Sequence, residues 1–160
     1  MVRRIVAFVA AVIAMVVLGS LSHSLLVQEA WTVAAGQGGG GTPVALSLAE
    51  RGSWILHDLV GLETGMDVAQ GVPAYAVLVI GAFLIAFLVA GVVARFAGLR
   101  TIFFAGAGAV AIFVLFTAVW MTQGTVLIFG ARGAMGLGAQ MAAGLIAGLV
   151  FAMLSRPRDA

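Results

Sequence analysis

The sequence predicts an all-α integral membrane protein: a four-helix transmembrane bundle whose first two spans are joined by a long extracytoplasmic loop carrying a short amphipathic helix. Three observations carry this. The 160-residue chain is 63% hydrophobic and only 9% charged, with a mean hydropathy of +1.20, whereas soluble domains are about a quarter charged. Four stretches, residues 5–27, 73–94, 101–121 and 133–154, are long enough to cross a hydrocarbon core of ~30 Å, which takes about 20 apolar residues in a helix. The arginines fall asymmetrically about those stretches. Residues 1–160 therefore read as a single membrane domain.

The first span begins after Arg3 and Arg4, as a secretory signal also would. A signal's apolar region is shorter, about 7–15 residues, and the stretch leading to the small residues of TVAAG is too long for a cleavage region. An uncleaved spanning helix is expected. Near its outer end the segment LGSLSHSLLVQEAW sets His23 between Ser22 and Ser24. Spacing of four puts His23 in a row with Gly19, Ala11 and Ala7, a small-residue face suited to other helices. A polar side chain at this depth costs free energy unless it is hydrogen bonded. His23 is expected to bond a neighbouring helix or to line a wet cavity, while Ser20 and Ser24 bond their own helix carbonyls.

The loop, residues 28–72, divides at GQGGGGTP, a glycine-rich tether over 36–43. Beyond it Ser47 and Glu50 stand at capping-box spacing, each side chain able to reach the other residue's amide. A short helix should follow, with Leu48, Ile55, Leu59 and Leu62 on one face and Glu50, Arg51, His57 and Asp58 on the rest. Together with Trp54, a residue type favoured at headgroup depth, this predicts a helix on the outer membrane surface or across the mouth of the bundle.

In the second span Ala82, Ala86, Ala90 and Ala94 form a ridge, and in the fourth Gly136, Gln140, Gly144, Gly148 and Ala152 form another. Small ridges let helix backbones approach closely, and that contact drives association in lipid. The third span contributes AGAGA over 105–109. Arg3, Arg4, Arg95, Arg100, Arg156 and Arg158 fall on one side of the four spans and only Arg51 and Arg132 on the other, which predicts cytoplasmic termini. The expected location is the cell membrane, crossed several times, as in a bacterial inner membrane.

Chemistry is sparse. There is no cysteine, which removes disulfides, thiolate metal sites and cysteine nucleophiles. No HExxH, GxxxxGK[ST] or GxSxG motif occurs, and the spans hold no Asp or Glu, which argues against a carboxylate proton relay. No catalytic residue and no metal site are predicted. The arginines are dispersed in ones and twos at span ends, which suits topology rather than nucleic-acid binding. Polar residues converge in the outer leaflet: His23, Trp120, Gln123, Arg132 and Gln140, with His57 and Asp58 above them. Each has an ordinary explanation: interhelical bonding for His23 and Gln140, interfacial anchoring for Trp120, and snorkelling or pairing with an acid for Arg132. His57 and Asp58 are adjacent on a helix and do not face each other, so they form no catalytic relay.

Two functions follow as expectations. The first is a structural or assembly subunit, packing through small-residue faces within itself and against other membrane subunits or a second copy, in the lipid bilayer. The alternative is a redox or lipid-binding protein, in which His23, Arg132, Gln140, His57 and Trp120 hold a quinone or lipid headgroup, or His23 and His57 are axial ligands of haem b. Bis-histidine haem in a bundle draws its ligands from spanning helices, and His57 is not on one.

Overall fold

The computed structural model describes residues 2–37, 46–64, 75–124, 131 and 133–156, with backbone alone over 31–37 and 62–64. Among them the chain is entirely helical: α1 (Val2–Gln37), α2 (Leu48–Thr64), α3 (Tyr75–Ala97), α4 (Arg100–Gln123) and α5 (Gly133–Leu154). Four segments are long and apolar enough to cross a bilayer, Val2–Ala30, Tyr75–Ala97, Arg100–Gln123 and Gly133–Leu154. The predicted all-α four-helix membrane bundle is what the chain forms.

α1 has 36 residues, about 54 Å of helix, and runs ten residues past the end of the apolar stretch. Hydropathy marks where lipid ends, not where a helix ends. The continuation QEAWTVAAGQ contains no proline and is rich in alanine, the strongest helix former. Of the glycine tether, Gly36 and Gln37 close α1, and the remainder lies outside the described residues.

α2 starts where the capping box places it. The Ser47 amide donates to Glu50 Oε2 at 2.8 Å, and the Glu50 amide donates to Ser47 Oγ at 3.3 Å. α2 packs mainly on α1, and its half-buried face comprises Arg51, Gly52, Ile55, Asp58 and Leu59. Leu48, expected on the apolar face, is instead 88% exposed, because it precedes the half-buried face, which begins at Arg51.

α3 and α4 form a tight antiparallel hairpin. Two residues join them, and Gly98 supplies the left-handed backbone, φ +69°, that the reversal needs. α3 packs through its alanine ridge only in part. Its buried row is Tyr75, Val79, Phe83, Phe87 and Ala90, while Ala82, Ala86 and Ala94 are only half-buried. Phe87 joins an aromatic cluster within the core: it stacks on Phe151 of α5 at 4.7 Å between centroids and meets Phe104 of α4 and Phe8 of α1 edge-on at 5.8 and 6.3 Å. Aromatic pairs of this kind contribute about 0.5–1.5 kcal/mol each beyond area burial.

α5 packs as its ridge predicts, since Gly136, Gln140, Gly144, Gly148 and Ala152 are all buried. At the α4–α5 crossing the backbones touch. A Cβ on Gly144 would lie 2.5 Å from Gly108 O, a Cβ on Gly108 would collide with Gly144 O, and one on Gly148 with Phe104 O. Only glycine allows this approach, which maximises van der Waals contact where no hydrophobic effect separates helix from lipid.

Candidate functional site

The bundle's polar interior is built around Gln140, fully buried on α5. Its Nε2 donates to Gly19 O at 2.9 Å and to Ser22 Oγ at 3.1 Å, and its Oε1 accepts from Tyr75 Oη at 3.2 Å. One carboxamide therefore ties α5 to α1 and α3. Gly19 makes room for it: a Cβ there would stand 2.8 Å from Tyr75 Oη and 2.9 Å from Gln140 Oε1. Both amide protons of Gln140 are used, which is how a buried side-chain amide is kept from costing free energy.

Above this node the polar column continues along α1 through Ser20, Ser24 and Gln28, which are 0, 0 and 2% exposed. Gln28 Nε2 donates to Ser24 Oγ at 3.2 Å and to Arg51 O of α2 at 3.4 Å. Ser20 Oγ and Gln28 Oε1 are buried with no hydrogen-bond partner.

His23 sits beside this column and is half-buried rather than buried. The row argument explains why. Each step of four residues turns a straight helix by about 40°, so four steps from Ala7 to His23 turn it by about 160°. The buried stripe of α1 runs through Ala7, Ala11, Met15 and Gly19 and then passes to Ser20, Ser24 and Gln28. Asp58 of α2 lies within electrostatic reach of His23, so the loop helix does approach this histidine.

His57 and Trp120 are not gathered here. His57 is exposed on α2. Trp120 is 59% exposed and lines a separate recess of about 240 Å³ between α4 and α5, with Phe116, Ala134 and Leu137. Arg132 lies outside the described residues. Among the described residues, no three His, Asp or Glu side chains converge as a metal site would require. Tyr75, the third member of the node, carries no sequence pattern beyond being the chain's one tyrosine, at the start of a span in the same leaflet as Gln140.

A second recess is apolar. α3 and α4 together form the walls of an open groove of about 900 Å³ lined by aliphatic and aromatic side chains, alanine and glycine, among them Gly81, Ala82, Ala86, Gly106, Ala107 and Ala111. It extends from Val77 to Val93 along α3, about 24 Å of helix. The predicted alanine ridge of α3 borders this groove. Comparison with known protein families, curated proteins and solved structures finds no match for the chain.

Proposed function

We propose that this is a structural or assembly subunit of a larger membrane complex and that the α3–α4 groove receives a spanning helix of the partner. The supporting observation is the lining of that groove. Glycine and alanine on both walls let another backbone approach closely, and its length matches most of the ~30 Å hydrocarbon thickness that a spanning helix traverses. Gln140 points the same way, since its amide protons serve the fold and are not offered to a ligand.

The test exploits two positions where a side chain meets nothing within the chain. A Cβ on Gly81 or Gly106 has no neighbour within 4 Å, so Gly81→Leu and Gly106→Leu should fill the groove without disturbing the fold. Each variant is expected to keep the wild-type melting temperature in detergent and to lose the stoichiometric partner on gentle purification from native membranes. Leu88→Phe, at an exposed position outside the groove, should retain it. Undiminished co-purification in both groove variants would refute this reading.

One observation favours the second reading, a bound quinone, lipid or haem b in the outer leaflet. Ser20 Oγ and Gln28 Oε1 are buried without hydrogen-bond partners on the same helix as His23, and a hydroxyl of a lipid headgroup or of a reduced quinone, which haem b lacks, is the kind of donor that satisfies them. His23→Gln and His23→Leu separate the readings. For a structural histidine, glutamine preserves stability, leucine costs about 0.6–2 kcal/mol, and co-purified quinone, haem and lipid are unchanged. Ligand lost from both variants at an unchanged melting temperature would put the second reading first.

A further inference from the structure

The end of the bundle where α1 begins and α5 finishes collects guanidinium groups. Arg3 Nε donates to Leu154 O at 2.7 Å, Arg100 Nη2 donates to Ser155 O at 3.1 Å and Ser155 Oγ at 2.5 Å, and Arg156 Nη2 donates to Thr101 Oγ1 at 3.3 Å. Arg100 also lies over the Phe104 ring, 5.0 Å from its centroid. Arg4, Arg156 and Arg3 are all within electrostatic range of Arg100. Four like charges thus share one small region.

Nothing among the described residues neutralises them. Helix dipoles do not: this end carries the N-termini of α1 and α4 and the C-termini of α3 and α5, and at about half a charge each, two positive and two negative ends cancel. Carboxylates do not either. Five of the six acidic residues fall between positions 29 and 67, at the far end of α1 or in the segment leading to α3, and Asp159 lies outside the described residues. Guanidinium cannot shed its proton in a protein, so relief must come from an anion.

We infer that Arg3, Arg4, Arg100 and Arg156 bind the phosphate headgroup of an anionic phospholipid. The carbonyl contacts to α5 use one or two donors of Arg3 and Arg100 and hold them in place, and each guanidinium has five. Arg100 is held by Nη2 with its Nε buried and contributes mainly charge, whereas the exposed Arg3, Arg4 and Arg156 keep open donor pairs that suit the bidentate geometry of phosphate oxygens. A lipid rather than free phosphate is the occupant because the cluster is bordered by exposed apolar side chains: Val2, Ile5, Leu99 and Ile102 are 73, 57, 56 and 66% exposed. A headgroup with acyl chains satisfies both surfaces, and basic pockets between helices at a membrane face are a known way of holding such headgroups.

Arg4→Gln/Arg156→Gln is the informative variant, since Arg4 makes no hydrogen bond among the described residues and Arg156 only the long one to Thr101, leaving Arg3 and Arg100 to hold α5. The protein in detergent is titrated with phosphatidylglycerol, with phosphatidylcholine and with inorganic phosphate while its melting temperature and lipid retention in native mass spectrometry are followed. Phosphatidylglycerol is expected to raise the melting temperature and to be retained, and the other two are not. The double variant should melt as the wild type does without lipid and need roughly tenfold to thirtyfold more phosphatidylglycerol for the same shift, and Arg4→Gln alone about fivefold more. Equal effects of the two lipids, or an unshifted titration in both variants, would overturn the inference. An equal response to inorganic phosphate would overturn the assignment to lipid. If Asp159→Asn binds phosphatidylglycerol where the wild type does not, Asp159 supplies the anion and the inference fails.

Discussion

Three spanning helices meet in the polar interior at the Gln140 carboxamide. Gln140 bonds Gly19 O, Ser22 Oγ and Tyr75 Oη, yet interhelical hydrogen bonds in membranes average only about 0.6 kcal/mol and reach about 2. Gln140→Leu is therefore expected to lower stability by about 1–2 kcal/mol, and Tyr75→Phe by about 0.6 kcal/mol, both without unfolding. Gly19→Ala should cost more than Tyr75→Phe, about 1–3 kcal/mol, because its methyl would displace two oxygens that already satisfy each other. Unfolding in a detergent of graded denaturing strength measures all three. A Gly19→Ala variant as stable as the wild type would show that the node repacks freely. Gln140 was legible in the sequence, since an amide in a glycine ridge of an apolar helix must find partners across an interface. Tyr75 was not, because one tyrosine at the start of a span has the same pattern whether it faces headgroups or a buried acceptor. His23 is half-buried because spacing of four drifts by about 40° per step around a helix of 3.6 residues per turn, and the buried stripe passes from Gly19 to Ser20 and Ser24.

Each helix is defined by what it must sit against. In α4 and α5 the glycines at the crossing have a physical requirement that those in the groove lack. Gly144→Leu and Gly148→Leu drive a side chain into the backbone of α4 and are expected to cost at least 1–3 kcal/mol, the usual range for overpacking. Gly106→Leu, two residues from Gly108 on α4 but facing open space, should be neutral in the isolated protein. Equal melting temperatures for all three would show that the crossing is looser than its geometry. The ridge of α5 was readable because every fourth residue is small or Gln140. The packing face of α3 was not, because its alanines and its phenylalanines both repeat at four, and periodicity alone does not say which row meets protein and which borders a groove. α2 was readable from its capping box. The Ser47 hydroxyl and the Ser47 amide both donate to Glu50 Oε2, at 2.7 and 2.8 Å, and these two bonds, the hydroxyl's first, hold the Glu50 carboxyl below its ordinary pKa. A carboxyl whose pKa is depressed in the folded state contributes stability above its unfolded value and loses it as pH falls through the folded one. Amide protection at the start of α2 should accordingly persist at neutral pH and fade in acid. Glu50→Gln should abolish that dependence, as hydrogen exchange over residues 48–52 would reveal.

On the scale of the whole molecule, charge and apolarity are separated along the bundle. Arg3, Arg4, Arg95, Arg100 and Arg156 occupy the end where α1 starts, α3 meets α4 and α5 finishes, while Glu29, Glu50 and Asp58 belong to the end where α1 meets α2. That polarity was legible from sequence because span ends are set by hydropathy and basic residues beside them are counted directly. What joins the helices was not: the aromatic cluster around Phe87 brings together residues far apart in the chain with no shared motif. The asymmetry predicts orientation, because basic residues flanking spans are retained in the cytoplasm and acidic ones carry little topological weight. Ser53 is exposed on α2 and Leu99 is exposed between α3 and α4, so each offers a side chain whose replacement leaves the packed interior alone. Ser53→Cys is expected to react with an impermeant thiol reagent in intact cells, and Leu99→Cys only after the membrane is permeabilised. The native chain has no cysteine, so all labelling reports the introduced site. Arg3→Gln/Arg4→Gln alone should leave this pattern in place, since Arg95, Arg100 and Arg156 still mark the same face. The opposite pattern in the wild-type background, with Leu99→Cys labelled from outside, would place the arginine end outside and defeat the orientation.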